Sequence, residues 1–415
     1  MFPYASSLDF EIKIPEEVEA FRNTIREFAE KYLAPIVNKV EETNEIDEEV
    51  FRKAVEMGLT GVAIPEEYGG QGGGLLMMAV MIEEISKYLP AFATSIAVNH
   101  LFVYPVLAFG SEQQKRKYIP KIAKGEAYAA HANTEPGAGS DVAGIQTTAR
   151  KEGDKWIING RKLFITGAKR ANYLVVSART SPPPSKKERW KGISLFIVEK
   201  GMPGLKISSR INTMGLRGEQ PYEVILDNVE VPAENIVGEE GNAFKAIVST
   251  YDHGRIGIAA QAVGIIQGLL ERSLDYSAMR NAFERPILSF EAVAFKIADI
   301  LISLEAARLL TYWAATLMDK GSKDAILAAS IAKTFATEAA EKASIYAIKI
   351  HGGYGVVRET GIERFQRDAI ITEIYEGTND IQRLTIIRSL VKKRFGISPE
   401  PVSYTHLTLP TNREV

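Results

Sequence analysis

The spacing of apolar residues changes twice along this chain, and those two changes dictate its architecture. Val18, Phe21, Ile25, Phe28 and Tyr32 recur at steps of three and four, the period of a helix with one buried face. The same period returns over 75–89 and around Gln113–Ile122. From about 127 to 237 it gives way to short, β-branched runs: KWIINGRKLFIT, NYLVVSA, GISLFIVEK, LKISS and YEVILDNVEV. These read as turn-bounded strands of an antiparallel sandwich or barrel, with Asn159-Gly160 as a hairpin turn. SPPPSKKER reads as a surface loop between two of them. From about 238 the helical period resumes. Phe290, Val293, Ile297, Leu301 and Leu304 mark one face, and Ile381, Leu384, Ile387 and Val391 another. Lys392, Lys393 and Arg394, followed by Gly396, form the expected end of the last helix.

The fold class expected from this order is α+β. It comprises an N-terminal helical domain (1–126), a central antiparallel β domain (127–237) and a C-terminal helical domain (238–396). Residues 397–415 break the pattern; PVSYTHLTLPTNREV resembles a translated cloning scar and is set aside, so His406 carries no functional claim.

Several function classes are disfavoured at once. A net charge of -2 gives no basic footprint for nucleic acid and no polybasic membrane patch. With no Cys there is no disulfide, thiolate metal site or Cys nucleophile. The segment MFPYASSLDFEIKIPEE lacks the features of a secretory signal, and the apolar stretch 96–110 is broken by Asn99, His100 and Pro105. A cytoplasmic protein without membrane insertion is the expectation. His131, His253 and His351 read as structural or exposed, and no His spacing suits a metal. IPEEYGGQGGG lacks the spacing and the Lys of a phosphate loop, so it reads as a flexible connector. No G-x-G-x-x-G opens a helix after a strand, which disfavours a Rossmann domain and NAD.

Two stretches carry chemistry. In ITEIYEGTNDIQR, Glu376 stands between Tyr375 and Gly377, ahead of a helix starting at Thr378 or Asn379. Taken alone it reads as a capping or loop-anchoring acid; partly buried, it would also serve as a base of raised pKa. In HANTEPGAGSDVAG (131–144), Thr134 and Ser140 supply hydroxyls while the glycines leave backbone N–H groups accessible. That suits a flat heteroatom-rich ring or a pyrophosphate, and equally an ordinary turn.

Over residues 10–396 the chain resembles the acyl-CoA dehydrogenases. The resemblance is carried by IPEEYGG, FGSEQQKRKYIP, TEPGAGSDVAG, INGRKLFIT, GLRG, LDNVEVPAENIVGEEG, YDHGRIGIAAQA, IHGGYGV and IYEGTNDIQR, in the family's order. GRIGIA, RLLTYWAA and ITEIYEGT point to the short- and medium-chain branch. The resemblance implies a C-terminal four-helix bundle, a bound FAD, an acyl-CoA substrate, an electron-transfer flavoprotein as acceptor and a homotetramer built as a dimer of dimers. It assigns Glu376 as the base that takes the α-proton while the β-hydrogen leaves as hydride to flavin N5. Relatives of the isovaleryl and long-chain type carry their base before the Arg of the motif matched by YDHGR; here Gly254 stands there.

By the same resemblance Thr134, Phe164 and Thr166 lie beside the flavin. Thr378, Asp380, Lys349 and Gly353 belong to the FAD surroundings, and Arg280 and Phe283 reach the FAD of a neighbouring subunit. Ser140, Asp252, Arg255, Gly377 and Arg388 fall on the CoA-ester side. The chain departs from the family at Phe164, where Trp is common, and at Glu284, where Gly is usual. Glu291 and Lys349 replace glutamines; their opposite charges suggest a compensating pair, within or across subunits. The reaction expected is dehydrogenation of a short- to medium-chain acyl-CoA to the trans-2-enoyl-CoA. The alternatives are an acyl-CoA oxidase of the same fold and a non-catalytic CoA-ester-binding protein. A glutaryl-type enzyme would need a cation for a distal carboxylate, and 88–114 contains no Lys or Arg.

Overall fold

The structure, a computed structural model, describes residues 14–396; the readings made on 1–13 and 397–415 lie outside the described residues. The N-terminal helices are α1 (Glu16–Phe28), α2 (Val37–Thr43), α3 (Glu48–Glu56), α4 (Gly74–Ser86), α5 (Pro90–Ala97), α6 (His100–Phe109) and α7 (Glu112–Ala123). The first stripe behaves as its period demands: Val18, Ile25 and Phe28 are buried, with Phe21 and Tyr32 half-buried beside them. The stretch Pro90–Phe109 is long and apolar enough to cross a membrane, but it is two helices, and more than half of it is buried in the core. Ser111 and Gln114 close a reciprocal cap at the start of α7, and the Gln114 amide also donates to the carbonyls of Glu234 and Ile236, tying this helix to the β domain.

The glycine-rich connector before α4 is tightly hydrogen-bonded rather than slack. The N–H groups of Gly70, Gln71, Gly72 and Gly73 donate to the carbonyls of Pro65, Gly61, Ile64 and Val62. That leaves none of these donors for a phosphate. The two N–H groups that open α4, on Leu75 and Leu76, donate to the Asp319 carboxylate at 2.8 and 3.1 Å.

The β domain consists of β1 (Ala129–Ala132), β2 (Thr148–Glu152), β3 (Lys155–Thr166), β4 (Tyr173–Arg179), β5 (Ile193–Glu199), β6 (Leu205–Arg210), β7 (Pro221–Pro232) and β8 (Ile236–Val237). They form one sheet in the order β6-β7-β3-β2-β4-β5-β8, with β1 added alongside β4. Most pairings are antiparallel, but β1 and β2 meet β4 in parallel. The expected hairpin at Asn159-Gly160 is not formed. Those residues lie inside β3, and the true turn is at Gly153 (φ +62°), between β2 and β3. The Asn-Gly pair instead marks a bulge against β7, where the Asn159 and Asn228 side chains meet and Asn228 adopts φ +52°. Glycine is needed there for a close approach: a Cβ on Gly160 would lie 2.2 Å from Thr147 Oγ1.

The C-terminal helices are α8 (Phe244–Met279), α9 (Glu291–Asp319), α10 (Ala325–His351), α11 (Glu363–Thr372) and α12 (Asn379–Phe395). The hairpin β9 (Asn281–Ala282) and β10 (Arg285–Pro286) separates α8 from α9, and its turn residues Phe283 and Glu284 both have positive φ. Helices α8, α9 and α10 pack on one another, α11 and α12 close against α10, and α4 lies on α8 and α9. A buried stripe of Ala329, Ala332, Ala336, Ala340, Ala343 and Ala347 lets α10 approach its neighbours closely. The predicted α9 stripe divides: Ile297 and Leu304 turn inward, whereas Leu301 joins an outward apolar row with Phe295, Ile302 and Leu309. The apolar side chains of α12 remain half-buried or exposed, Ile387 among the latter.

A buried charged network links α1, α4 and α9. Arg22 donates to Glu83 (3.3 Å), Glu84 (3.0 Å) and the Tyr312 hydroxyl (2.6 Å), while Arg308 donates to Glu83 at 2.9 Å. Removing one member of a buried pair leaves its partner desolvated. Glu83→Ala is therefore expected to destabilise the protein by about 3 kcal/mol, read as a lower midpoint in urea unfolding followed by circular dichroism.

Candidate active site

The turn between α11 and α12 has an unusual backbone. Glu376 and Gly377 are consecutive left-handed residues, φ +53° and +97°. A non-glycine residue held there is strained, and such strain persists only where surrounding bonds over-determine it. Here they do. Asn379 N–H donates to Glu373 O at 3.0 Å, and Gln382 Nε2 to Gly377 O at 2.9 Å. Thr378 caps α12, its hydroxyl accepting from Ile381 N–H. From α10, the fully buried Lys333 donates to Glu373 O and Gly377 O, both at 3.0 Å, and to Asn379 Oδ1 at 2.9 Å.

The Glu376 side chain turns toward α8. A Cβ on Gly254 would lie 1.7 Å from Glu376 Oε2 and 3.2 Å from Leu101 Cδ2, so only glycine leaves room for this carboxyl. Glu376 Oε2 is buried and has no hydrogen-bond partner. Burial pushes the carboxyl up to about 7, with the positive charges of Lys333 and then Arg255 pulling against it. Arg255 is itself buried and donates to Asp252 and Ser330, leaving its Nε without a partner. Tyr375, next to the acid, donates a hydrogen bond from its hydroxyl to Gln261 Oε1.

One cavity of about 2090 Å³ gathers Glu376, Gly377, Thr378, Arg255 and Arg388 with Thr134, Ser140, Phe164 and Thr166. Small-molecule sites usually measure roughly 300–1,000 Å³, so this one has space for two extended ligands. Phe164 reaches it through a second irregularity of β3, between Lys162 and Ile165, where φ is +59° and the ring is 55% exposed. The 131–144 loop is fixed from beneath. Glu135 accepts from the N–H groups of Gln146 and Thr147 and pairs with the fully buried Lys162 at 2.8 Å. Around Thr134, the side-chain nitrogens His131 Nε2 and Asn133 Nδ2 are buried without partners, and Gly137 and Gly139 have open space where a side chain would stand. Two hydroxyls, an aromatic wall and unpartnered polar atoms fit a flat heteroatom-rich ring. Lys186, Lys187 and Arg189, from the loop between β4 and β5, also line this cavity, a role not foreseen in the sequence.

Other expected site residues stay apart. Asp252 faces inward to Arg255 and does not line the cavity, because its carboxylate neutralises that buried guanidinium. Asp380 points to solvent from the first turn of α12. Arg280, Phe283, Lys349 and Gly353 lie exposed on the outer side of the helical domain, away from the cavity. Glu291 and Lys349 are both exposed, and no ion pair joins them among the described residues, so the compensating pair is not formed within one subunit. His351 is structural: it bonds Ala347 O and stacks on Tyr276. His131 and His253, in contrast, line the cavity, His253 packed on Tyr104 with ring centroids 3.6 Å apart. Sequence reasoning missed Lys333. Its signal was a lone cation on the alanine stripe of α10, four residues after Ala329 and three before Ala336.

Models of the acyl-CoA dehydrogenase N-terminal, middle and C-terminal domains match residues 15–126, 130–229 and 241–391. The chain is 40% identical over 382 residues to the short-chain specific mitochondrial acyl-CoA dehydrogenase of Mus musculus, covering 92% of each chain. It is similar to the structure of butyryl-CoA dehydrogenase from Megasphaera elsdenii, with TM-score 0.88, 36% identity and coverage of 92% of this chain and 100% of that one. A structure described as the electron transferring flavoprotein of Acidaminococcus fermentans superposes with TM-score 0.89, 41% identity and coverage of 92% and 100%.

The raised Glu376 pKa has a thermodynamic consequence. The folded value, about 7, lies above the usual 4.5, so this group's stabilising contribution is present at low pH and lost as pH climbs through 7. Glu376→Gln should therefore be more stable than the wild type at pH 8, by about 3 kcal/mol at most, with the difference vanishing near pH 4.5. Melting both proteins across that range, at matched ligand content, checks the slope and its sign.

Proposed function

This chain belongs to the acyl-CoA dehydrogenase family of oxidoreductases, and from that membership we propose that it oxidises short- to medium-chain acyl-CoA esters to trans-2-enoyl-CoA. Glu376 is the base in this reading. The observation that carries it is a single residue with both halves of the needed chemistry unengaged. Its Oε2 has no partner, and its backbone N–H donates to no described residue. An α C–H next to a thioester is a weak acid, so its removal needs a base and a donor to the thioester oxygen, where negative charge develops. The Glu376 carboxylate takes the proton and the Glu376 N–H meets the oxygen, with both positions set by one left-handed residue.

Family members are FAD-dependent flavoproteins, and this chain's residues suit that group. Thr134, Thr166 and Phe164 would hold the isoalloxazine, and Thr378 would meet it beyond the base. When bound, FAD supplies the two-electron acceptor that takes the β-hydrogen as hydride. Ser140 and Arg255 bind the CoA ester on the opposite side, with Arg388 at a further substrate position and Gly377 shaping the turn. The carboxyl oxygen Oε2 is itself buried, so it meets the C–H bond rather than solvent. Arg280, Phe283, Lys349, Gly353 and Asp380 act in this reading at the FAD of a neighbouring subunit or at its rim. The position of Arg280 and Phe283 outside the cavity of a single chain supports a role at a neighbouring subunit's FAD. Exposed Phe283, Phe295, Ile302 and Val356 suit the burial that a homotetramer would provide. Likeness to the Mus musculus and Megasphaera elsdenii enzymes supports the chain-length preference, and the Acidaminococcus fermentans structure supports an electron-transfer flavoprotein as acceptor.

Anaerobic titration with acyl-CoA esters of increasing length, followed by flavin bleaching, tests cofactor, reaction and substrate together. Bleaching should be strongest with short to medium straight chains. Protein that carries no flavin, or flavin that no acyl-CoA bleaches, would remove the reading in favour of a CoA-ester-binding protein. Steady hydrogen peroxide release in air would mark an oxidase. Glu376→Gln should keep flavin and ligand binding yet fail to bleach, and wild-type kcat/KM should rise with pH through about 7 as the base ionises. Gly254→Ala displaces the same carboxyl without changing its chemistry; a misplacement near 1 Å corresponds to about 100-fold lower turnover, measured with flavin content unchanged.

A further inference from the structure

Lys333 is a charge without a dedicated counter-charge. Its Nζ meets Glu373 O, Gly377 O and Asn379 Oδ1 at 2.9–3.0 Å, and all of these are neutral oxygens. A neutral amine has two N–H donors and an ammonium has three, so three acceptors at bonding distance call for the ammonium. Burial opposes that charge and pulls it down to about 7. Three carbonyl dipoles and the acid beside it act the other way.

The acceptors straddle Glu376. Glu373 precedes it by three residues, while Gly377 and Asn379 follow it. Facing Glu376 are Lys333 and Arg255, with the phenols of Tyr251 and Tyr375. Arg255 is committed to Asp252 through a buried ion pair. Facing Lys333 are Glu376, Arg255, Glu373 and Glu338, and Glu373 in turn faces Glu341. Lys333 is therefore the buried cation near Glu376 whose field is not cancelled by its own hydrogen-bond partner.

We propose that Lys333 is a positioning residue for proton abstraction: its ammonium pins both limbs of the Glu376 turn and favours the carboxylate over the protonated acid. The inference rests on Glu376 being the base. It goes further in assigning the ionisation of that base to a residue on α10 that does not line the cavity.

The test uses holoenzyme carrying Lys333→Met, which keeps the length of the side chain and removes its charge. The acid limb of the kcat/KM profile should move to higher pH by about one unit. At pH 7 kcat should fall about fivefold, most of the loss being recovered at higher pH, with KM changing little. The protonated Glu376 carboxyl, followed by pH-difference infrared spectroscopy and assigned by its absence in Glu376→Gln, should show the same displacement without turnover. Two companions guard against a variant that fails to fold. Asn379→Ala removes one acceptor but keeps the charge, and Lys333→Arg keeps a cation; both should leave the acid limb in place. A limb that stays put in Lys333→Met, or that moves equally in Asn379→Ala or Lys333→Arg, overturns the proposal. Wild-type bleaching is measured first: wild type that does not bleach sinks the dehydrogenase reading itself, whereas wild type that bleaches beside an unmoved limb sinks only the role of Lys333.

Discussion

An acid that has to meet a C–H bond cannot be tied up in a salt bridge. Glu376 Oε2 lacks any partner, so the side chain cannot be fixed by its own hydrogen bonds and the backbone must do that instead. The consequences spread outward. The turn takes two consecutive left-handed residues, α10 contributes a buried lysine beneath it, α8 leaves out a side chain at Gly254, and Tyr375 is tethered to Gln261. Three helices from separate parts of the sequence thus converge on a carboxyl that none of them bonds.

Two fully buried lysines show how differently one residue type serves the two sides of the cavity. Lys162 is paired with Glu135, and together with Asn133 and Ser177 they form a closed polar knot under the 131–144 loop. Such a knot fixes geometry and projects little field, because opposite charges stand 2.8 Å apart. Lys333 has neutral acceptors, so its field reaches the acid nearby. Rigidity is supplied on one side and electrostatic bias on the other.

The succession helical, β, helical was legible because hydrophobic period is a property of each segment alone. What failed needed tertiary information. Asn159-Gly160 has the composition of a hairpin turn, but the partner strand β7 runs past it and turns the pair into a bulge. Leu301 shares a helical stripe with Ile297, yet α9 has apolar residues on two faces and only one meets the core. Glu376 could be singled out only together with the rest of the motif set, since an isolated acid ahead of a helix reads equally as a cap. Lys333 was hidden by ordinary expectation, because a lysine in a helix is normally solvated. The pairing of Asp252 with the buried guanidinium three residues on is a tertiary fact that spacing alone does not reveal.

Helix α8 runs unbroken from Phe244 to Met279, with Gly254 near one end and Arg280 just past the other. At 1.5 Å per residue those two positions are about 39 Å apart. The helix is thus a ruler whose graduations are also angular, since each residue turns the following ones by about 100°. Deleting one residue between them would shorten the span only slightly but would swing the Phe283 hairpin round the axis, out of line with the floor beneath Glu376. Substitutions along α8 can be absorbed singly. Its length cannot drift, and this segment should tolerate changes of letter far better than changes of count.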